Sequence, residues 1–478
     1  MKNQFKSTLN IFIAIALFSI TSCTSKQSVW DVKDYGAVAD SATVNTTAIQ
    51  QAIDECAEAG GGIVRLDGGV FISGTILLKD SVTLEICEGS RLQGSINPND
   101  YPVVDPFIDA TGQFRGQCLI GAIDVENAAI IGGGTIDGMG NMFYTNIVKK
   151  TMKELGEELY TVDFSKIIAD GGNYVNKKIR MGYRPFLVRM VRSKNVELKN
   201  ITLRQPAAWT LHLFACEGFH IDGVKIYSHA NRNNDAIDID SSKDGLIENC
   251  IIDSGDDAIC VKATSPVATS DILVRNCKIK SNWGAIKFGT ESMGDFKNIT
   301  ITDCHIHDTK GGGIKILSAD GANIENILIE NITMERVEMP IFMRLCERRL
   351  VYRNAPQRPT GTINNVTIRN IKASINELEM LRQQPTTGIY ISGTANNPIG
   401  TVTLENISIS HPGGGTAEDA KRVVPENETQ YPEFTMLGPT PSYGIYSRYV
   451  KDLKSKIITF NLRAEDKRLE HYNEHILE

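Results

Sequence analysis

This sequence predicts an all-β fold, a single-stranded right-handed parallel β-helix with an N-terminal cap helix. Three observations lead there. First, one short unit recurs from about Asn195 onward, a polar residue or glycine followed by an apolar alternation. It reads Asn200-Ile-Thr-Leu, Gly223-Val-Lys-Ile, Asn249-Cys-Ile-Ile, Asn276-Cys-Lys-Ile, Asp303-Cys-His-Ile, Asn331-Ile-Thr-Met, Asn370-Ile-Lys-Ala and Asn406-Ile-Ser-Ile. Second, these starts lie 23, 26, 27, 27, 28, 39 and 36 residues apart, a period that marks a solenoid. Third, so short a period has no room for helices as well as strands, so stacked coils of strand and turn are the economical solution. Each coil contacts only its neighbours, which lets one domain outgrow the usual size limit.

Taken in order, residues 1–22 read as an export signal. Lys2 and Lys6 form a basic start, and Leu9 to Ile20 is an apolar run too short to span a bilayer. It ends in Ile20-Thr21-Ser22-Cys23, which resembles a bacterial lipobox, so Cys23 is expected to carry lipid. That places the protein as an exported, lipid-anchored one in the periplasm or outer membrane of a Gram-negative bacterium, with the lipid as its only membrane contact. Residues 23–28 are a tether. The β-helix domain follows over 29–465, opening with a strand at Val29 to Val32. Asn45-Thr46-Thr47 caps a helix that places Ile49, Ala52, Ile53 and Cys56 on one face, and Gly60-Gly61-Gly62 stops it. Such a helix covers the open end of the coils. Short alternating strands follow at 62–66, 70–72, 76–78 and 82–86. An insertion at 141–178 carries a helical segment near Lys149 to Leu159, and later insertions are rich in charge around 344–358 and 377–382. Residues 466–478 form a charged tail expected to fray.

Composition narrows the class. The chain has 478 residues, 22% charged and 41% hydrophobic, with net charge −7. Lacking any basic run, it is not expected to bind nucleic acid. Nine cysteines follow Cys23, and an odd number argues against a complete disulfide framework. Cys250, Cys277 and Cys304 recur every 27 residues, which reads as a ladder of small buried hydrophobes rather than a zinc site. The chain is expected to be monomeric.

The chemistry concentrates between Asn231 and Lys262, where Asp235, Asp238, Asp240, Asp256 and Asp257 sit among β-branched residues. Crowded carboxylates raise one another's pKa and provide a route to general acid/base catalysis. Asp235 and Asp256 are 21 residues apart, close to one coil, so they are expected at nearly one azimuth on adjacent coils, about 4.8 Å apart. Neighbours on a strand point to opposite faces, so Asp256 and Asp257 can share a groove only if the backbone bends, and Ser254-Gly255 makes that bend available.

Asn233-Asn-Asp-Ala-Ile-Asp238 resembles the N-x-D-G-x-D motif of glycoside hydrolase family 28, the polygalacturonase family, and Gly255-Asp256-Asp257 resembles its G/Q-D-D motif. DVKDYGAVAD, GGGIVRLDGGVF, Arg184-Pro185 and Pro206 through Trp209 to His212 extend the resemblance over nearly the whole mature chain. The resemblance implies a pectin-lyase-like solenoid that hydrolyses glycosidic bonds with inversion, acting on a polysaccharide or oligosaccharide such as galacturonate- or rhamnogalacturonan-type chains. Asp256 would be the general acid, and Asp235 with Asp257 would hold and deprotonate water. Asn233, Asp238 and His212 would contact substrate, and neither metal nor cofactor is implied.

Departures from the pattern bear on substrate. Gly284 stands where the family has a histidine, and Lys287 replaces its serine. The family's R-I-K reads Gly313-Ile314-Lys315, so the arginine that grips a uronate carboxylate is missing, and lysine lacks its bidentate geometry. Lys287 and Lys315, 28 residues apart on adjacent coils, are candidates to replace it, and Glu291 stands where some exo-acting members carry an acid. Exo action is favoured because insertions can close one end of a groove. Two alternatives stay open at this point: a β-helix polysaccharide lyase using calcium, and a non-catalytic glycan-binding β-helix.

Overall fold

The computed structural model describes residues 28–161 and 182–474. Its strands form parallel coils: a 12-stranded sheet on one side and a 22-stranded assembly wrapping the others, with a short two-stranded hairpin outside them. The expected alternation is present, for instance at Val82–Ile86, where Val82, Leu84 and Ile86 are fully buried and the intervening residues are not. Stacked in register, these side chains make one apolar column along the solenoid. Each fully buried isoleucine or leucine contributes about 1.5–3 kcal/mol.

The polar residue that opens each repeat has a backbone cause. Asn200, Gly223, Asn249, Asn276, Asp303, Asn331, Asn370 and Asn406 all turn the chain at φ between 52° and 64°. This left-handed conformation costs an ordinary residue about 1–2 kcal/mol, and only glycine, asparagine and aspartate adopt it routinely. Side chains then link coil to coil: Asn370 donates to Asn331 at 3.0 Å and Asn406 to Asn370 at 2.9 Å. Cys250, Cys277 and Cys304 form the expected buried stack, and all nine described cysteines are free.

Helix α1 (Thr46–Glu58) caps the N-terminal end, burying Ile49, Ala52, Ile53 and Cys56 against the first coils. Asn45 does not cap it through its side chain; that amide instead ties down Val38 and Thr43. Strands β1 (Phe107–Ile108) and β2 (Phe114–Arg115) form the antiparallel hairpin, which lies on the outer face of the 12-stranded sheet, with Phe107 against Trp209 and His212. Helix α2 (Thr145–Leu155) begins four residues before the segment expected from sequence.

The charge-rich insertion at 344–358 folds two of its arginines back onto the coils. Arg348 turns inward onto Asp320, and Arg353 lies between Asp105 and the Phe214 ring. The C-terminal tail is not frayed through residue 474. Arg468 is buried against Asp466 and the Thr440 and Ser442 carbonyls, and this lets Leu469–Glu474 add a final strand. The export signal and Cys23 lie outside the described residues. Among those residues, no helix is long and apolar enough to cross a membrane.

Candidate active site

Five consecutive strands of the 12-stranded sheet build the site: β3 (Leu211–Phe214), β4 (Ile237–Asp240), β5 (Ile259–Ala263), β6 (Ile286–Ser292) and β7 (Ile314–Ser318). Their register stacks His212, Asp238, Cys260, Lys287 and Lys315 in one outward column. The apolar residues between them face the core. A column of ionisable side chains is thus held on a rigid sheet and roofed by the hairpin and later loops.

Asp235 lies two residues before β4, and Asp256 and Asp257 lie in the bend before β5. The coil step here is 22 residues, with Ile237 opposite Ile259, so Asp257 rather than Asp256 lies directly beside Asp235. The Ala236 amide donates to the Asp257 carbonyl at 2.9 Å. Gly255 makes the bend because a Cβ there would meet Asn234 Oδ1 at 2.6 Å and the Ser228 carbonyl at 2.9 Å. Ser254 and Ser281 both donate to the Asp256 carbonyl at 2.6 Å, which pins the turn. The expected convergence follows: carboxylate oxygens of Asp235, Asp256 and Asp257 all lie within 4.8 Å of one another.

These three line a cavity of about 250 Å³, with Asn233, Lys262, Lys287 and Glu291 among its polar walls and Trp209, Trp283 and Tyr431 among its aromatic ones. Two buried lysines divide the carboxylates. Lys262 Nζ lies 2.9 Å from Asp235, 3.0 Å from Asp238 and 3.8 Å from Glu291, and 3.8 Å above the Trp209 ring. Lys287 Nζ lies 2.6 Å from Asp257, whose other oxygen accepts from the Gly284 amide at 3.1 Å. Among the described residues, no cation contacts Asp256; its Oδ1 accepts only from the Asp257 amide, at 3.0 Å.

The ionisation preferences follow from this division. Burial, then the charges of Asp235 and Asp257, push the Asp256 carboxyl well above the usual carboxylate range. Burial also raises Asp235, while Lys262 pulls it back. Burial disfavours the Lys262 charge, but Asp235, Asp238 and Glu291 outweigh that and hold it well above an ordinary lysine. Lys287 is raised too, with Asp257 opposing the effect of its burial.

Three residues expected at the substrate do not reach the cavity. His212 is fully buried beneath Trp209, with Nε2 3.1 Å from Asp240 and Arg189 donating to its Nδ1. Burial lowers its pKa to about 4, so it is neutral. Asp238 stands behind Asp235 as the second partner of Lys262. Lys315 is buried under Trp283 and consumed by Glu433 at 2.8 Å. Lys287 does line the cavity, but Asp257 occupies it. Neither lysine is therefore free to take over from the missing arginine.

The model of Glycosyl hydrolases family 28 matches residues 107–429. The chain belongs to that family. An exo-poly-alpha-D-galacturonosidase of Dickeya chrysanthemi is 31% identical over 263 residues, covering 50% of this chain and 42% of that relative. The chain thus spans under half the length of that relative. An endo-polygalacturonase of Pectobacterium parmentieri is 29% identical over 338 residues, covering 69% of this chain and 78% of it. In fold, a hyperthermoactive exopolygalacturonase from Thermotoga maritima superposes with a TM-score of 0.68 at 20% identity, over 91% of this chain and 92% of that one.

Within the family 28 frame, Lys262 is the residue that motif reading missed. Its signal was present: Asp257-Ala-Ile-Cys-Val-Lys262 alternates, and a lysine on the outward side of a buried strand requires a carboxylate partner. Tyr431 and Glu433 carried no such signal, since their loop comes from far along the chain.

Proposed function

We propose that this chain is an inverting glycosidase that cuts pectin-type, uronate-bearing chains near an end. Asp256 is the general acid, and Asp235 with Asp257 holds the attacking water and takes its proton. One observation carries the assignment. Asp235 and Asp257 each have a buried lysine at hydrogen-bond distance, whereas Asp256 is buried beside two carboxylates with no cation in contact among the described residues. The acid donates its proton to the glycosidic oxygen as that bond breaks. Water bonds to the anomeric carbon from the other face, and its proton passes to the Asp235–Asp257 pair.

The substrate class rests on the polygalacturonase names of the relatives. Chain-end action is supported by the β1–β2 hairpin. Its Asp109, Ala110 and Thr111 wall the cavity, and its Ala110 amide reaches Glu291 at 3.4 Å. Burial works against the Asp109 charge, but Arg115 and hydrogen bonds from Thr111 and Gln113 keep it below the usual carboxylate range and fix the tip.

The three carboxylates are near enough to ligate a cation, which gives the calcium-dependent lyase reading its specific support. Against it, Lys262 and Lys287 already neutralise two of them. The deciding experiment treats uronate oligosaccharides with the purified chain, with and without chelator. Saturated products gaining one water, indifferent to chelator, support hydrolysis; unsaturated, calcium-dependent products overturn it. Lipid anchoring at Cys23 belongs to the same proposal. Fatty-acid labelling that survives Cys23→Ser would remove it.

A further inference from the structure

Lys262, Lys287 and Lys315 beside the reaction centre are each paired with a carboxylate, yet a substrate rich in uronates needs cations somewhere. We infer that a second cavity, adjoining the first at Asn233, is a subsite for a ring carrying a carboxylate, with Arg184 and Arg232 as its cationic wall. This rests on the uronate reading above and deepens it.

The second cavity has a volume of about 410 Å³ and shares Asn233 with the catalytic one. Its walls include Tyr144 and Tyr183, flat surfaces of the kind sugar rings pack against, and no aspartate or glutamate among the described residues. Arg184 is the decisive group. Its guanidinium donates to the Arg232 carbonyl at 2.6 Å, to Asn233 Oδ1 at 3.0 Å and to the Gln113 side chain, all uncharged acceptors. Among the described residues, no carboxylate lies within ion-pair distance of Arg184 or of Arg232. Burial, then Arg115, lowers the Arg184 pKa to about 9. Asp109 offsets this only in part, and a largely buried cation with no carboxylate in contact among the described residues is costly, a cost that an anionic ligand removes. The Arg232 side chain is exposed at the rim, where it can close on the same carboxylate.

Asn233 links the two cavities chemically. Its Oδ1 accepts from both Arg184 and Gln113 Nε2, each at 3.0 Å, and only an oxygen can accept from a guanidinium. The amide NH₂ of Asn233 is therefore turned away from these donors and available to substrate hydroxyls. A chain whose reacting ring lies among Asp235, Asp256 and Asp257 is stopped by the hairpin wall and passes over Asn233. Its next carboxylate then meets Arg184 and Arg232. An acid-lined cavity beside a cation-lined one thus fits a substrate whose negative charge belongs on the neighbouring ring.

The test varies Arg232, whose side chain takes no part in holding Arg184: that guanidinium meets only the Arg232 backbone carbonyl, and its bond to Asn233 Oδ1 is separate. Oligogalacturonates in free-acid and methyl-esterified forms are compared as substrates for the wild type and Arg232→Gln. The expected result is a preference for the free acid that falls about tenfold in the variant, through KM rather than kcat. Equal preference in both proteins overturns the inference. Binding is measured separately by calorimetry in the Asp256→Asn chain, with and without Arg232→Gln. About tenfold weaker binding of the free acid in the double variant is expected. Equal affinities, or no affinity in either, overturn the subsite whatever the hydrolysis assay gives. Products showing no cleavage of either form, with tight and Arg232-dependent binding, refute the proposed hydrolysis and leave the subsite standing.

Discussion

Replacing Lys262 with methionine tests the charge arrangement most directly. Methionine keeps much of the side chain's length and its packing on Trp209, but removes the ammonium between Asp235 and Asp238. At 2.9 Å the direct attraction to Asp235 is about 6 kcal/mol in a medium of effective dielectric about 20. Most of that offsets desolvation, and breaking a buried pair costs about 3–5 kcal/mol in stability. The site can recover part of this loss by binding a proton on Asp238 or Asp235. Losing an opposite charge at this range raises a carboxylate pKa by about 1–3 units. In the proposed mechanism water activation requires Asp235 ionised, so activity is lost below its pKa, and raising that pKa moves the acidic limb of the pH profile upward. The assay is kcat/KM on an oligogalacturonate from about pH 4 to about pH 9. The variant should fall furthest behind the wild type at low pH, by about tenfold for each unit of limb displacement, and approach it toward high pH. Lys262→Arg should restore the limb. A uniform drop with the limb unmoved would refute the reasoning and leave Lys262 as packing alone.

Three other outcomes follow from the same geometry. Asp256→Asn should lower kcat on oligosaccharides by about 10²–10⁴-fold with little change in KM, and far less on aryl glycosides whose leaving groups need no proton. It should also lose the basic limb, because the wild-type acid works only while protonated, below its raised pKa; an equal loss on both substrates excludes the acid role. The first product seen by NMR should have the inverted anomeric configuration. The spacing of 4.8 Å or less is shorter than the about 6.5–9.5 Å usual for a two-carboxylate inverter, so retention would show that one carboxylate attacks carbon directly. Asn331→Ala should lower stability by about 1–2 kcal/mol and Asn331→Gly by less, because only alanine resists φ of +56°; equal shifts in denaturant midpoint would remove the conformational explanation.

The coils were legible because a repeat announces itself many times over. The left-handed turns that open the eight repeats are all asparagine, aspartate or glycine, and each strand needs alternation, so errors at one coil are corrected by the next. The convergence of Asp235, Asp256 and Asp257 was legible for the same reason, through the length of one coil. The one-residue error in their alignment arose because the sequence spacing was matched to the wrong aspartate of the pair, while the strand register steps by 22. His212, Asp238 and Lys315 were misplaced for a different cause. Their outward direction on the sheet was readable, but whether an outward side chain meets solvent depends on what roofs it. Trp209 lies over His212, and Glu433 with Trp283 encloses Lys315, and the loop bearing Glu433 is joined to the site by no periodicity.

Burial under that roof turns a row of like side chains into groups with different tasks. In water, Asp235, Asp256 and Asp257 would be nearly equivalent. Inside the cavity, each lysine delivered by the sheet register pairs with one carboxylate, Lys262 with Asp235 and Lys287 with Asp257, and Asp256 has no cation in contact among the described residues. Asp238 and Glu291 matter by the same logic, since they hold Lys262 charged although they perform no step themselves. This explains why the lysine at 287 can stand where the family places a serine without abolishing an acid/base site: it supplies Asp257 with a partner. On the proposed reading, it also places recognition of the substrate's charge elsewhere. A cation already committed to a catalytic carboxylate cannot also grip a uronate without releasing it. The guanidinium of Arg184, one cavity away and bonded to uncharged acceptors among the described residues, faces no such conflict.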